Sequence, residues 1–226
     1  MRRASVLVCG LLMGAACTDA GGSVVILQNA QAGGDCSGND LSSFIGQGVI
    51  DVATDRGYIM RPVLQNQAIS EVMGASRRAQ LEGYNVDISY PGSGSCSTDS
   101  ALTSFSRLVG ASIEAGGTSV VAIELLPIEF LETCTVSGNN VIDIVAEVQF
   151  FGTMDGGDLE STKFRYPVQV CSGCLAEDLG MCSELTGSEE ISGGSSCNPY
   201  QDLPVSCCTD SGGQTVCPAV REIITP

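Results

Sequence analysis

The sequence predicts an all-β protein: an antiparallel β-sandwich, immunoglobulin-like in arrangement, that carries a small disulfide-rich C-terminal extension. Three observations predict it. Through most of residues 23–170 apolar side chains alternate with polar ones at a period of two, the pattern of strands with one buried face. Gly, Asn and Asp interrupt these runs at short intervals, as tight connections require. Beyond residue 170 cysteine becomes dense, with seven of the chain's 12 Cys in that last part. About eight short strands in roughly 150 residues match a sandwich; spacing alone leaves a small barrel open.

The runs can be taken in chain order. Residues 23–28, 44–53 and 58–67 are each bounded by Gly, Asn or Asp and are expected to be strands. Residues 85–90 alternate cleanly, with Val86, Ile88 and Tyr90 inward. Residues 107–112 and 118–125 flank Glu114-Ala115-Gly116-Gly117, a turn. Pro127 suits the first turn of a helix and predicts a short one over 128–133. The clearest strand is 141–151, where Ile142, Ile144, Ala146, Val148 and Phe150 share one face and Asp143, Glu147 and Gln149 the other. Phe164, Tyr166, Val168 and Val170 repeat the pattern, with Lys163, Arg165 and Gln169 opposite. Between these two runs, Asp155-Gly156 suits a hairpin turn that needs positive φ, so the two strands are expected to pair. A short echo, Leu27-Gln28-Asn29-Ala30 against Leu64-Gln65-Asn66-Gln67-Ala68, is taken as coincidence.

The N-terminus carries a different signal. Met1-Arg2-Arg3 is a short basic start, and the uncharged, apolar run 4–16 ends in Gly14-Ala15-Ala16. This is the layout of an export signal. The run is shorter than the ~20 apolar residues a spanning helix needs. Gly14-Ala15-Ala16-Cys17 resembles the bacterial lipobox, in which a small residue precedes a Cys that is lipidated before cleavage. Gly14 stands where that pattern usually has Leu. The resemblance implies a signal peptide over 1–16, a lipidated Cys17 with a tether over 17–22, and attachment to a membrane of the bacterial cell envelope, the outer membrane being the expected one, facing the periplasm or the surface. Several acyl chains on one Cys would suffice for anchoring, where a single chain gives only marginal binding. The ordinary alternative is a secretory signal cut near Ala16, with Cys17 left as a disulfide partner.

Cysteine counting favours lipid. Cys9 leaves with the signal, and assigning Cys17 to lipid leaves an even set: Cys36, Cys96, Cys134, Cys171, Cys174, Cys182, Cys197, Cys207, Cys208 and Cys217. An even number suits an oxidising compartment. The domains expected are the sandwich over 23–170 and the stapled tail over 171–226. Adjacent residues lie ~3.8 Å apart at Cα, closer than a disulfide spans, so Cys207 and Cys208 need different partners. The tail's count is odd, so at least one bridge crosses to the sandwich. The pairing expected is Cys36–Cys96, with Cys134 bonded into the tail. Cys171-Ser172-Gly173-Cys174 has three readings: a structural disulfide, half of a zinc site, or a redox pair. The redox reading takes residues 175–179 as a candidate helical turn after the pair, but a second Cys-x-x-Cys and a βαβ setting are both missing.

Composition removes several function classes. Lys and Arg number 10 against 26 Asp and Glu, a net charge of −16, and loss of Arg2 and Arg3 makes the remainder more acidic still. Such a surface repels phosphate backbones, and Arg77-Arg78 is the largest basic cluster, so no nucleic acid is expected as partner. The absence of His removes the usual general base, His-paired nucleophiles and His metal sites. Lys163 is the single Lys and sits on a polar strand face. Asp210-Ser211-Gly212 is read as a turn among cysteines. Trp is absent, which weakens sugar stacking. Asp35, Asn39 and Asp40 crowd one loop, and Asp155 and Asp158 another, but neither follows the EF-hand pattern. No catalytic residue, metal or cofactor is therefore expected. The remaining expectation is a non-catalytic, lipid-anchored envelope protein that binds another protein or builds an assembly, with binding of a small ligand or divalent cation as the alternative.

Overall fold

The structure is a computed structural model that describes residues 23–32, 36, 43–53, 56–69, 77–90, 96–136, 140–185, 190–195 and 197–219. The expected signal, Cys17, the tether and the Asp35–Asn39–Asp40 loop lie outside the described residues. Among the described residues, fourteen strands, two short α-helices and one 3-10 turn follow one another as β1 (Val24–Asn29), β2 (Gly48–Asp51), β3 (Tyr58–Met60), β4 (Pro62–Asn66), β5 (Ala79–Ser89), α1 (Ser100–Thr103), β6 (Ser104–Ile113), β7 (Thr118–Val120), β8 (Ile123–Leu126), α2 (Ile128–Leu131), β9 (Ile142–Met154), β10 (Gly157–Glu160), β11 (Phe164–Cys171), β12 (Ala176–Met181), the 3-10 turn Cys182–Glu184, β13 (Val205–Thr209) and β14 (Thr215–Val216).

A large sheet runs β2-β11-β9-β5-β6, with β10 folded back on β9. Facing it are β1-β4-β7 and the pair β3-β8, and the chain crosses repeatedly between the layers. The result is an all-β sandwich whose sheets share one core. Its core is built by the faces that alternation predicts: Ile144, Ala146, Val148 and Phe150 of β9 and Val170 of β11 are at most 0% exposed, with Tyr166 and Val168 at 1%. Burying one such aliphatic or aromatic side chain contributes roughly 1.5–3 kcal/mol.

The Asp-Gly turn works as its residue types require. Asp155 and Gly156 both hold positive φ, 53° and 79°, and join β9 to β10 in register, Met154 opposite Gly157. After Ser161 the chain resumes as β11 and pairs with the same strand β9, Phe164 opposite Val148. The expected pairing is therefore present, with a short extra strand in between. Glu114–Gly117 is also a turn, but it carries the chain from β6 in the large sheet to β7, which pairs with β4.

Three runs differ from expectation. The run 58–67 is two strands in different sheets, parted at Arg61, whose backbone N–H donates to Asn29 Oδ1 at 2.8 Å. The run 44–53 contributes only Gly48–Asp51, and β2 lies parallel to β11 on an otherwise antiparallel sheet. Strand β5 begins six residues before the clean alternation at Asn85, because a bulge between Leu81 and Gly83 shifts its buried positions from 79 and 81 to 84, 86 and 88. Glycine is needed there: a Cβ on Gly152 would overlap the Gln80 carbonyl oxygen, and one on Gly83 would meet the Arg107 carbonyl oxygen at 2.6 Å. The short helix after Pro127 forms as expected and presses Phe130 and Leu131 into the core.

All ten expected cysteines are paired, with partners that correct the expected ones. Cys36 bonds Cys197 rather than Cys96, and Cys96 bonds Cys134, which therefore makes no bridge to the tail. The reason is local: Ser97 N–H donates to Thr133 Oγ1 at 2.9 Å, so the end of α2 holds Cys134 against Cys96. The crossing bridge that counting requires is Cys36–Cys197. Cys207 and Cys208 do take separate partners, Cys217 and Cys182, and Cys171 bonds Cys174. Residues 175–179 are not a helical turn: Ala176–Met181 is a strand parallel to β13. Leu175 C=O accepts the Val205 N–H at 2.7 Å and draws this segment into the sheet β12-β13-β14. The tail has its own small core of Cys182, Leu185, Cys208 and Ala219.

Candidate functional site

Three places gather polar chemistry. The first is the seam where the tail enters the sandwich. The segment 198–202 follows Cys197 and lies beside β2 and β3. Asp202 Oδ1 accepts the Val49 N–H at 2.9 Å, and both carboxylate oxygens lie 3.1 Å from the Tyr58 hydroxyl. Gln201 Oε1 accepts the Ile59 N–H at 2.9 Å, its Nε2 donates to the Ile59 carbonyl at 2.8 Å, and Asn198 Nδ2 donates to the Gly57 carbonyl at 2.8 Å. Gln201 mimics a strand at the open edge of β3. Tyr58 and Tyr166 hydroxyls are 3.1 Å apart, and Asn29 Nδ2 donates to Tyr166 at 2.8 Å. One proton assignment satisfies the chain: Asn29 donates to Tyr166, Tyr166 to Tyr58, and Tyr58 to the carboxylate.

Burial sets the ionisation of this group. It pushes the Tyr58 phenol well above its ordinary value, and the Asp202 charge adds to the effect. Burial also pushes Tyr166 up to about 12, against its hydrogen bonds with Tyr58 and Asn29. Asp202 is raised by burial too, opposed by its hydrogen bonds and by Arg61. The seam holds polar groups for structure, and the cavity beside Arg61, Gln201 and Asp202 measures about 10 Å³, too small for a substrate. A folded phenol pKa above the unfolded value of 10.0 gives stability that is complete below pH 10 and lost as pH rises through about 12. Denaturant midpoints should therefore fall across that window, and the two buried tyrosines should show tyrosinate absorbance only as the fold is lost.

The second place is the corner Asp51, Cys171 and Cys174, whose carboxylate oxygen and sulfurs lie within 4.8 Å of one another. It is the one such group of three among the described residues. Asp51 is fully buried, and its carboxylate accepts N–H groups from Ala53 at 3.0 Å, Gly173 at 2.8 Å and Leu175 at 3.1 Å.

The third is the solvent face of the large sheet and its edge. Asn85, Asp87, Ser104, Phe105, Glu147 and Lys163 line a polar groove of about 380 Å³. Glu147 binds Lys163 Nζ at 2.7 Å and Arg165 Nε at 2.9 Å. The hydrogen bonds from Lys163 and then Arg165 hold the Glu147 carboxyl below its ordinary value, and Glu147 in turn holds Lys163 above its own. Neither has the shift a general acid or base would need at neutral pH. Strand β6 closes this face. Among the described residues it pairs only with β5, and it exposes Leu108 at 86%. Arg107 lies 5.1 Å from the Phe105 ring centroid.

The other residues singled out in the sequence have structural partners. Asp155 Oδ1 accepts the Arg77 N–H at 3.1 Å, and Arg78 pairs with Glu114. Asp158 joins no group of three potential metal ligands. Asp210 Oδ1 accepts N–H groups of Gly212 and Gln214 and closes a turn between β13 and β14, as read from the sequence. Sequence reasoning missed Asp202, Gln201 and Asp51; the partners that tie them to the other part of the chain lie over 100 residues away, and no local pattern marks them.

No family model matches the chain, and no curated protein matches it. Among solved structures, the ASH / PapD-like domain of human CEP192 (PapD-like domain 7) shows a likeness over 76% of this chain and 96% of that domain, at 11% identity and a TM-score of 0.22. Likeness at that level assigns no activity. Among the described residues, no helix is long and apolar enough to cross a membrane.

Proposed function

We propose that the chain is a non-catalytic, lipid-anchored protein of the bacterial cell envelope, expected at the outer membrane, that contacts a protein partner by adding a strand to β6. The observation that carries this reading is the edge itself. Residues 104–113 form a ten-residue strand whose outer side has no paired strand among the described residues, and an exposed Leu108 stands in the middle. Edges of this length accept extended partner segments, with main-chain bonds giving affinity and side chains giving selection. Strand β6 itself contains no Asp or Glu, in a chain of 26 acidic residues, so a partner meets it without like-charge repulsion there. The address rests on the lipobox-like Gly14-Ala15-Ala16-Cys17. The ten later cysteines satisfy one another in five bridges, which supports a Cys17 reserved for lipid.

Crosslinking and co-purification from the native envelope test the reading. The wild-type chain should fractionate with membrane and recover one specific envelope protein. Leu108→Lys, a charge at an exposed edge position, should leave the melting temperature within about 1 °C and reduce that recovery roughly tenfold or more. Cys17→Ser should release the chain from membrane. Unchanged recovery with Leu108→Lys would remove β6 as the contact.

The groove beside β6 favours a second reading, binding of a small ligand or divalent cation. Its Asp87 already accepts the Ser104 hydroxyl at 2.7 Å and its Glu147 is ion-paired, so a neutral polyhydroxylated ligand fits better than a cation. A rise in melting temperature with added Ca²⁺, reversed by chelator, would favour the cation instead.

A further inference from the structure

The Cys171–Cys174 bridge stands apart from the other four. It links residues three apart, against 10 to 161 for the rest. The stabilisation a crosslink supplies through the unfolded chain falls as its loop shortens, so this bridge contributes least of the five. Its turn is also held without it. Cys171 ends β11 in register with Asp51, and its carbonyl accepts the Val52 N–H at 2.8 Å. The Asp51 carboxylate then binds the N–H groups of Gly173 and Leu175 on either side of Cys174. Beyond it, Leu175 is fixed to Val205. The carboxylate and the disulfide therefore impose the same closure, and opening the disulfide leaves the turn in place.

The two sulfurs differ in setting. Cys171 is 2% exposed, whereas Cys174 is exposed. The Asp51 carboxylate lies within 4.8 Å of both sulfurs, so burial is what separates them: a thiolate is disfavoured on the buried Cys171, and the exposed Cys174 is the sulfur an incoming thiol can reach.

We infer that Cys171–Cys174 is a thiol–disulfide exchange site for protein dithiols, with Cys174 as the sulfur attacked and Cys171 as the sulfur that leaves. A thiolate of the incoming dithiol attacks Cys174 Sγ; the Cys171–Cys174 bond breaks, a mixed disulfide forms at Cys174, and the proton given up by the incoming thiol ends on Cys171. The second substrate thiol then attacks its neighbour's sulfur, releases Cys174, and leaves the substrate as a disulfide. Two electrons and two protons pass from the substrate dithiol to the Cys171–Cys174 pair. This activity is independent of the β6 contact, and Leu108→Lys leaves it intact.

The test uses the full oxidised chain and a reduced two-cysteine model peptide, with alkylation and peptide mapping to locate free thiols. One equivalent of peptide should be oxidised, Cys171 and Cys174 should become alkylated before any other cysteine, and circular dichroism should not change. With glutathione disulfide as probe, Cys171→Ser should form a mixed disulfide on Cys174 at least about tenfold faster than Cys174→Ser does on Cys171. A pair that opens only together with the fold, a peptide that stays as reduced as without protein, or equal rates for the two variants would overturn the inference. The reduction order in the wild-type chain decides the matter should either variant fail to fold.

Discussion

Replacing Cys36 and Cys197 together by Ser should lower stability by roughly 4–5 kcal/mol, with the loss concentrated where the tail meets the sandwich. The bridge spans 161 residues, the longest loop of the five, and loop length sets the entropy that a crosslink removes from the unfolded chain. Its position magnifies the local effect. Cys197 immediately precedes the segment 198–202, which supplies Asn198, Gln201 and Asp202 to Gly57, Ile59, Tyr58 and Val49. Without the bridge, that segment is tethered from one side only. Hydrogen exchange should then accelerate at Ile59 and Val49 by more than in β9, which the seam does not touch. The melting temperature should fall by about 8–20 °C, since about 2–4 °C accompanies each kcal/mol in a chain of this size. A double variant that melts within a degree or two of wild type would show that the polar seam alone holds the tail.

The seam also marks where sequence reading stops. Alternation on 142–150 and 164–170 identifies buried faces because each residue there is decided by its own strand's period of two. Asp202 and Tyr58 are 144 positions apart, and neither neighbourhood hints at the other. Disulfide partners fail for the same reason. Parity requires a bridge between tail and sandwich and adjacency separates Cys207 from Cys208, but choosing Cys197 for Cys36 depends on where the folded chain brings them. The run 58–67 looks continuous because Arg61 interrupts it through backbone bonds to Asn29 and Ala30, at the end of β1. That Asn belongs to the short echo taken as coincidence. Asn29 and Asn66 are both buried at strand ends: Asn29 satisfies Arg61 and Tyr166, and Asn66 donates to the carbonyls of Arg77 and Ile113. The likeness therefore has a physical basis, since a buried strand end needs a side chain that both donates and accepts. Of the candidate sites, the exposed edge of β6 was legible only as the general expectation of an edge in a sandwich. The corner at Asp51 was half legible, through its Cys-x-x-Cys, and lacked the carboxylate that holds its turn.

Phe150→Ala should cost about 3–5 kcal/mol, the range for a buried aromatic side chain. The size of such a loss depends on whether the surroundings can collapse into the space left behind, and here they cannot. Phe150 is fully buried on β9, which is hydrogen-bonded to β5 and β11 on its two sides. Its own N–H donates to Ser161 Oγ at 2.8 Å and its carbonyl accepts the Ser161 N–H at 2.8 Å, so the backbone is held at this residue. Two positions on, Gly152 already touches the Gln80 backbone, which stops the strands from closing further. The ring's neighbour Tyr84, 5.8 Å away between centroids, is fixed in turn because its hydroxyl donates to the Glu124 carbonyl and accepts the Glu124 N–H, both at 3.2 Å. A cavity should therefore persist. Leu108→Ala, which also removes a large apolar side chain but from an exposed position, should cost under about 0.5 kcal/mol and serves as the control. Equilibrium denaturation of both variants measures the contrast. A Phe150→Ala loss below about 2 kcal/mol would mean that β5, β9 and β11 slide together after all, and that the sandwich is more deformable at its centre than its hydrogen bonds imply.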